Sequence, residues 1–475
     1  MATNTVPWRT APKTKIVCTI GPASQSEEQL RGLLQAGVDV IRLNFSHGTH
    51  DEHAQVIARV RRLAQQLQLP IAILQDLAGP KVRIGTFATG AVTLQEGESF
   101  TLTTRSVIGT PQEVSVSYPG LPQEVKPGDT LLLADGAVAL EVQDVSTEDI
   151  HCRVTGGGAL SARKGVNCPS GLFKLPILSP KDESDLQFGI EHQVDYIGLS
   201  FVRTAEDVRI AKAAIAQRGA SLPVIAKIET QAALGHIDAI ISAADGIMVA
   251  RGDLGIETPF ARVPIVQKQL IAKANQLAKP VITATQMLWS MVNAPRPTRA
   301  EAADVANAVL DGTDAVMLSE ETAVGQYPEQ AVRAMAAIAN EAEHSQLLSP
   351  DPVRLQTATA PSEAEIMAQA ACHIAAQRNL EAIITVTLEG TSAQLVAKYR
   401  PSQPILAATP RIDTYQRLAL LRGVTPLLLP ADVTTREGMI EATKARMRAA
   451  GNHEVTVIVF SSISAQHNML FTETI

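Results

Sequence analysis

Cysteine is scarce in this chain: its 475 residues include four, Cys18, Cys152, Cys168 and Cys372. They match no metal-ligand spacing. Thiols so few and scattered read as reduced cysteines of a cytoplasmic protein rather than as a disulfide framework. Long apolar runs are missing too. No stretch of about 18 apolar residues offers a membrane span, and residues 1–15, MATNTVPWRTAPKTK, hold no apolar segment of a secretory signal. Net positive charge is also lacking. Lys and Arg number 41 against 48 Asp and Glu, a formal charge of −7. That argues against a general nucleic-acid binder while leaving room for a local basic pocket. The phosphate loop GxxxxGK[ST] does not occur, so any phosphate must be held by other groups. There is no internal repeat.

What is present points to a folded, multi-domain chain. Hydrophobic residues make up 45% and charged residues 19%, a balance that supports a large core. At roughly 150 residues per domain, the length suits about three domains. Short apolar runs alternate with helix-like stretches: Thr14 to Gly21, Val40 to His47, Ile71 to Leu77, Asp195 to Phe201, Pro223 to Glu229, Gly246 to Asp253, Pro280 to Met287 and Ala315 to Thr322. Each is nearly continuously apolar, as a strand buried on both faces must be. Strand–helix alternation predicts parallel βαβ units, and eight units are the number of a closed (β/α)8 TIM barrel. A doubly wound open sheet is the alternative.

One gap breaks the pattern. From about Gly85 to Ser179 the helical period vanishes, and apolar–polar alternation with turns at Pro127–Asp129 and Asp135–Gly136 predicts an inserted antiparallel β-barrel domain. An insertion after a barrel strand lies at the catalytic face, where it serves as a lid. Beyond about Leu347 a second α/β unit begins, with strands at Ala382–Leu388, Pro404–Pro410, Val424–Pro430 and Glu454–Ser461, after a linker at Ser349–Pro352. The expected division is therefore a barrel at 1–84 and 179–347, a lid at 85–178 and a C-terminal α/β domain at 348–475.

Polar residues fall where a barrel needs them. Catalytic groups of this fold come from the C-terminal ends of several strands. Here those ends carry Arg42, Asn44, Ser46, His47, Asp76, Lys227, Glu229, Arg251, Asp253, Thr285, Gln286, Ser319 and Glu320. Lys227 and Glu229 are two apart and share a strand face. They form either a plain salt bridge or, with Asp253, part of a Mg²⁺ site that few protein ligands complete with substrate oxygens. Lys227 would then neutralise a phosphoryl group in transfer. Arg42 and Arg83 are candidate phosphate forks, or simply surface charge. Thr298 and Glu301 make a capping box, which explains most of the stretch Pro295 to Glu301.

The segments TKIVCTIGPAS, RLNFSHG, KIET, GIMVARGDLGIE, KPVITATQML, PRPTRAEAADVANAVLDGTDAVMLSEETA and VAKYRP resemble the pyruvate kinase family over nearly the whole chain. The resemblance implies a barrel with a lid and a C-terminal regulatory domain, a homotetramer, and transfer of phosphoryl from phosphoenolpyruvate to ADP with Mg²⁺ or Mn²⁺. It further implies that Lys227 stabilises the phosphoryl group and that Glu229 and Asp253 bind the divalent ion. Gly252, Asp253 and Thr285 would hold the substrate carboxylate, while Arg42 and Arg83 contact phosphate. Asn44, His47, Arg83, Lys164 and Asn167 would lie at the nucleotide. Thr285 and Ser319 would relay the proton to the enolate carbon. Asn44, Ser46, Asp76 and the Leu77 carbonyl would form a monovalent-cation site.

Three positions depart from the family pattern. Glu320 replaces a glycine in Leu318–Ala323. Glu389 lies within the loop Thr387–Ser392, whose Thr387, Gly390, Thr391 and Ser392 would otherwise cradle a sugar-phosphate or nucleotide-phosphate effector. Lys81 stands where K⁺-dependent members carry glutamate, with Leu77 and Ile84 replacing threonines. An ammonium beside K⁺ would repel it by about 4 kcal/mol at ~4 Å for an effective dielectric near 20. Catalysis is therefore expected without K⁺, unless Lys81 swings into solvent. A Mg²⁺-dependent phosphoenolpyruvate or oxoacid lyase or mutase is the competing enzyme. A sensor built on a dead kinase scaffold is the non-enzymatic alternative, but it would have lost Lys227, Glu229 or Asp253.

Overall fold

The computed structural model describes residues 12–169, 174–345, 361–449, 456–462 and 468–474. The apolar runs become β1 (Lys15–Thr19), β2 (Val40–Asn44), β3 (Ala72–Asp76), β4 (Tyr196–Leu199), β5 (Val224–Ile228), β6 (Gly246–Ala250), β7 (Val281–Ala284) and β8 (Ala315–Leu318). Every residue in them except Asn44 is buried, which accounts for their unbroken apolar character. Each pairs in parallel with its neighbour, and Lys15 opposite Ala315 brings β8 back to β1. The barrel is closed, so the open-sheet alternative is excluded. Parallel closure puts all eight C-terminal strand ends at one mouth, where the polar residues gather.

Helices form the outer ring, and their starts are written in the sequence. Thr49 with Glu52, Ser179 with Asp182 and Thr298 with Glu301 each build a capping box. The Thr298 hydroxyl accepts from Glu301 N at 3.2 Å while Glu301 Oε2 accepts from Thr298 N at 2.7 Å. Inside the barrel, Val17, Leu74, Ile225, Met248 and Ile282 pack in one cluster with Ala419 and Leu420. The last two come from the C-terminal domain and plug the floor opposite the polar mouth.

The insertion is built of strands, as its alternation predicts, around a core of its own. Its sheets stay open, however: one has six strands and one has two. The expected antiparallel β-barrel is thus a partial barrel, and one of its pairs is parallel, Ser99–Thr103 beside Glu113–Ser115. The cause is the intervening segment, which crosses to Phe87 through Gly109 and re-enters in the same direction. Among the described residues, isolated bridges such as Arg83 with Gly165 and Ile84 with Val116 tie the root of the insertion together, too few to continue a closing ladder.

The C-terminal domain is a five-stranded sheet. Ala382–Val386, Ile405–Thr409, Val424–Leu428 and Thr456–Ser462 run parallel. A fifth strand, Asn468–Thr474, adds an antiparallel edge that the sequence reading missed. The linker at Ser349–Pro352 lies outside the described residues. Arg400 Nη1 meets Asp314 Oδ1 at 2.6 Å and the Tyr196 hydroxyl donates to Arg417 O at 2.8 Å, joining this domain to the barrel. All four cysteines are buried. No helix among the described residues is long and apolar enough to cross a membrane.

Candidate active site

Four expected residues meet at the mouth. Lys227, near the end of β5, is 8% exposed. Its Nζ lies 3.0 Å from Asp76 Oδ1 and 3.0 Å from Glu229 Oε1 and donates to Ser200 Oγ at 2.6 Å. Arg42, on β2, donates through Nε to Asp76 Oδ2 at 2.6 Å and through Nη1 to Thr19 Oγ1 at 2.9 Å. Burial pushes the Asp76 carboxyl up, but the Lys227 and Arg42 charges outweigh it and hold the group below its ordinary value. The same balance acts on Lys227. Burial lowers it, yet Asp76 and Glu229 bring it out above the usual lysine range. It therefore stays a cation inside the protein, which is what a stabiliser of phosphoryl charge needs.

Glu229 is raised instead. Burial is the largest cause; Lys227 opposes it, while Asp253 and Asp76 add like-charge repulsion. Glu229 Oε2 accepts from Phe201 N at 2.7 Å. Among the described residues no three His, Cys, Asp or Glu side chains gather as a metal site. Two hard carboxylates that repel one another, and that need further oxygens to complete a shell, fit Mg²⁺ shared with a substrate.

Ser200 is the residue sequence reasoning missed. Besides the bond from Lys227, its hydroxyl contacts Leu77 O at 2.7 Å and Asp76 Oδ1 at 3.3 Å. It ends the run that forms β4, so the rule applied to the other strand ends would have found it. Ser200 also touches the neighbouring loop. Gly79 has φ +69°, and a Cβ there would stand 2.9 Å from Ser200 Cβ, so only glycine fits.

Lys81, expected beside the monovalent-cation ligands, has a carboxylate partner of its own. Its Nζ pairs with Asp253 Oδ1 at 3.2 Å and stands 5.6 Å from the Phe201 ring centre. The cationic partners of Asp76 are Arg42 and Lys227, and the Leu77 carbonyl accepts from Ser200. Asn44 Oδ1 accepts from Ser46 N at 3.1 Å.

Thr285 follows β7 with φ +72° and Gln286 with φ +54°, a left-handed pair that a β-branched residue rarely joins. Thr285 Oγ1 accepts from Gly252 N at 2.8 Å and donates to Ala284 O at 2.6 Å. The Gly252 N–H assigned to the substrate carboxylate thus rests on Thr285 here. Ser319 Oγ is buried without a partner among the described residues. In the altered turn, Glu320 is exposed, while fully buried Glu321 accepts from Ser319 N at 2.7 Å and Leu288 N at 3.0 Å. The turn is held by Glu321, so glycine at 320 is not required for it.

The nucleotide candidates are more scattered. Asn167, on the lid, donates to Glu257 Oε1 at 3.2 Å, beside a small cavity of about 60 Å³ lined also by Lys81, Phe201 and Arg203. Arg83, His47 and Lys164 are exposed, and Arg83 Nη1 donates to Arg163 O at 3.2 Å; none of the three joins the Lys227 cluster. In the C-terminal domain, the Thr387 hydroxyl accepts from Gly390 N at 2.8 Å and Ser392 is fully buried. Thr391 and Glu389 are exposed.

Comparison with known proteins agrees with this geometry. Residues 11–332 match the family description "Pyruvate kinase, barrel domain", and residues 365–470 match "Pyruvate kinase, alpha/beta domain". Pyruvate kinase 2 of Synechocystis is 48% identical over 451 residues, covering 94% of this chain and 75% of its own length. The pyruvate kinase of Geobacillus stearothermophilus is 47% identical over 444 residues, covering 92% and 75%. A crystal structure of a pyruvate kinase from Cryptosporidium parvum superposes with a TM-score of 0.92 at 36% identity, covering 99% of this chain and 97% of that one. These relatives lend no support to the lyase or mutase alternative. The chain belongs to the pyruvate kinase family.

Proposed function

We propose that this enzyme moves the phosphoryl group of phosphoenolpyruvate to ADP, with Lys227 as the charge that meets it. The observation that carries the reading is a buried lysine kept cationic by Asp76 and Glu229 at the mouth of a closed barrel. Arg42, already braced by Asp76 and Thr19, turns its remaining edge to a phosphate. Glu229 and Asp253 would hold Mg²⁺ or Mn²⁺, which supplies charge neutralisation and a fixed point for substrate oxygens. Transfer between two anions needs positioning and neutralisation more than covalent help. Thr285 and the Ser319 hydroxyl, which has no partner among the described residues, would relay the proton to carbon, and Asn44, His47, Arg83, Lys164 and Asn167 would frame the nucleotide under the lid. A coupled assay tests this directly: pyruvate should form from phosphoenolpyruvate only with ADP and a divalent ion present. Pyruvate release without ADP would overturn it.

The same assay addresses monovalent ions. Asp76 already has two cationic partners and the Leu77 carbonyl already has a donor, so two of the four expected ligands of a K⁺ site are satisfied by the protein. With only a bulky organic counterion, KCl should raise the initial rate less than about twofold. Lys81→Glu should make the rate depend on added K⁺. Many-fold KCl activation of the unaltered enzyme would contradict K⁺ independence.

Regulation is placed at Thr387–Ser392, where a strand, a loop and a helix N-terminus offer backbone N–H groups to a sugar or nucleotide phosphate. The assembly is taken as a homotetramer, which sedimentation reads. Deleting Glu389–Ser392 should abolish activation by every phosphate effector while leaving turnover at saturating substrate. A retained response would move the site elsewhere.

A further inference from the structure

Arg251 follows β6 and begins the helix Arg251–Glu257 that carries Asp253. Its side chain is 13% exposed and reaches sideways across the mouth to the strained turn after β7. Nε donates to Ala284 O at 3.2 Å and Nη2 to Thr285 O at 2.8 Å. Nη1 is anchored by Asp304 Oδ1 at 2.7 Å and Gln267 Oε1 at 3.2 Å, and Nη2 also lies 2.7 Å from Met287 Sδ. The next residue completes the grip, since Gly252 N donates to the Thr285 hydroxyl. Residue 285 is therefore held at its carbonyl and at its hydroxyl by two consecutive residues of one helix start.

That grip answers a physical need. A threonine at φ +72° is strained and persists only where its surroundings over-determine it. A guanidinium spanning two successive carbonyls supplies that constraint, because its fork is planar and rigid. Left alone, the turn would relax toward an ordinary conformation and swing the Thr285 hydroxyl away from Gly252.

We propose that Arg251 is a positioning residue that acts through Thr285. Clamped to Asp304, it locks the proton-relay hydroxyl to the helix bearing the metal ligand Asp253, so that carboxylate binding and protonation at carbon share one rigid frame. This rests on the roles proposed above for Thr285 and Asp253. A misplacement near 1 Å costs on the order of 10²-fold in rate, and that is the loss expected in kcat/KM for phosphoenolpyruvate in Arg251→Gln. Arg251→Lys keeps the charge but cannot bridge both carbonyls, so it should recover only part. Asp304→Asn, which leaves Arg251 in place, should lose about tenfold.

A double-mutant cycle reads the mechanism. In a Thr285→Ala background, Arg251→Gln or Asp304→Asn should cost less than about threefold further, because the group they position is gone. Losses that multiply across the two sites would overturn the proposal and make Arg251 a general structural residue. Should Arg251→Gln fail to fold, the Asp304→Asn cycle decides the same question. Failure of the underlying reading would look different: the unaltered enzyme would form no ADP-dependent pyruvate.

Discussion

Lys227→Met should lower kcat by at least about 10³-fold while changing phosphoenolpyruvate affinity only several-fold. A single donor aimed at developing transition-state charge is worth roughly 10²–10³ in rate, and Lys227 brings a full charge held at 3.0 Å from both Asp76 and Glu229. Ground-state binding survives because Arg42, which Thr19 and Asp76 still hold, and the Gly252–Thr285 turn remain in place. The substitution also leaves two buried carboxylates with less compensation. Breaking a buried ion pair costs about 3–5 kcal/mol, tempered here by Arg42, which still faces Asp76 at 2.6 Å. A lower Tm is therefore expected, and substrate binding by calorimetry must be measured well below it. The second expected consequence is a proton uptake. With Lys227 gone, burial and the repulsion from Asp253 and Asp76 push Glu229 up against the Phe201 N–H bond without their main counterweight, so Glu229 should protonate at higher pH than in the parent enzyme. Near-normal kcat in Lys227→Met would remove the lysine from the chemistry.

What could be read before the structure follows from which interactions are local. The eight strands were legible because burial on both faces writes itself as an apolar run, and the Thr298–Glu301 capping box because its two residues lie three apart. The direction of a strand is not written that way. Alternation at Glu113–Ser115 shows a strand with one buried face, yet its parallel pairing with Ser99–Thr103 depends on how the intervening segment crosses. The edge strand Asn468–Thr474 was missed because it lies on a sheet border, where burial leaves a weaker pattern. In the site, Lys227, Glu229, Asp76 and Arg42 were found by one rule: charge at the end of an apolar run. Ser200 follows such a run but carries no charge, and was overlooked because a serine is unremarkable in composition. The ion pair of Lys81 could not be read from the sequence. Its loop position is local, but its partner Asp253 is 172 residues away in sequence, and no periodicity reports such a contact. Arg251 was visible only as one charge among the strand ends, since its partners lie 33, 34 and 53 residues further on.

Glu229→Gln and Asp253→Asn should each raise the Mg²⁺ concentration for half-maximal rate by tenfold or more, and the two should differ in a way the structure specifies. Each removes one of two anionic ligands. At an effective dielectric near ~20, one unit charge ~4 Å from another contributes about 4 kcal/mol, and a divalent ion about twice that before desolvation offsets it. Even a quarter of that sum exceeds the 1.4 kcal/mol that makes a tenfold change. Glu229→Gln keeps an oxygen for Phe201 N, so the backbone bond at 2.7 Å persists, but it also strips Lys227 of one counter-charge. That should lower kcat as well as metal affinity. Asp253→Asn removes the partner of Lys81 and leaves Lys227 untouched, so its kcat at saturating Mg²⁺ should fall less. Mn²⁺ binding followed by electron paramagnetic resonance without substrate separates ligand loss from catalytic loss. Unchanged Mn²⁺ affinity in both variants would show that these carboxylates are not the metal ligands. Weakened binding with equal kcat losses would instead keep the ligands and refute the separate role of the Lys227–Glu229 pair.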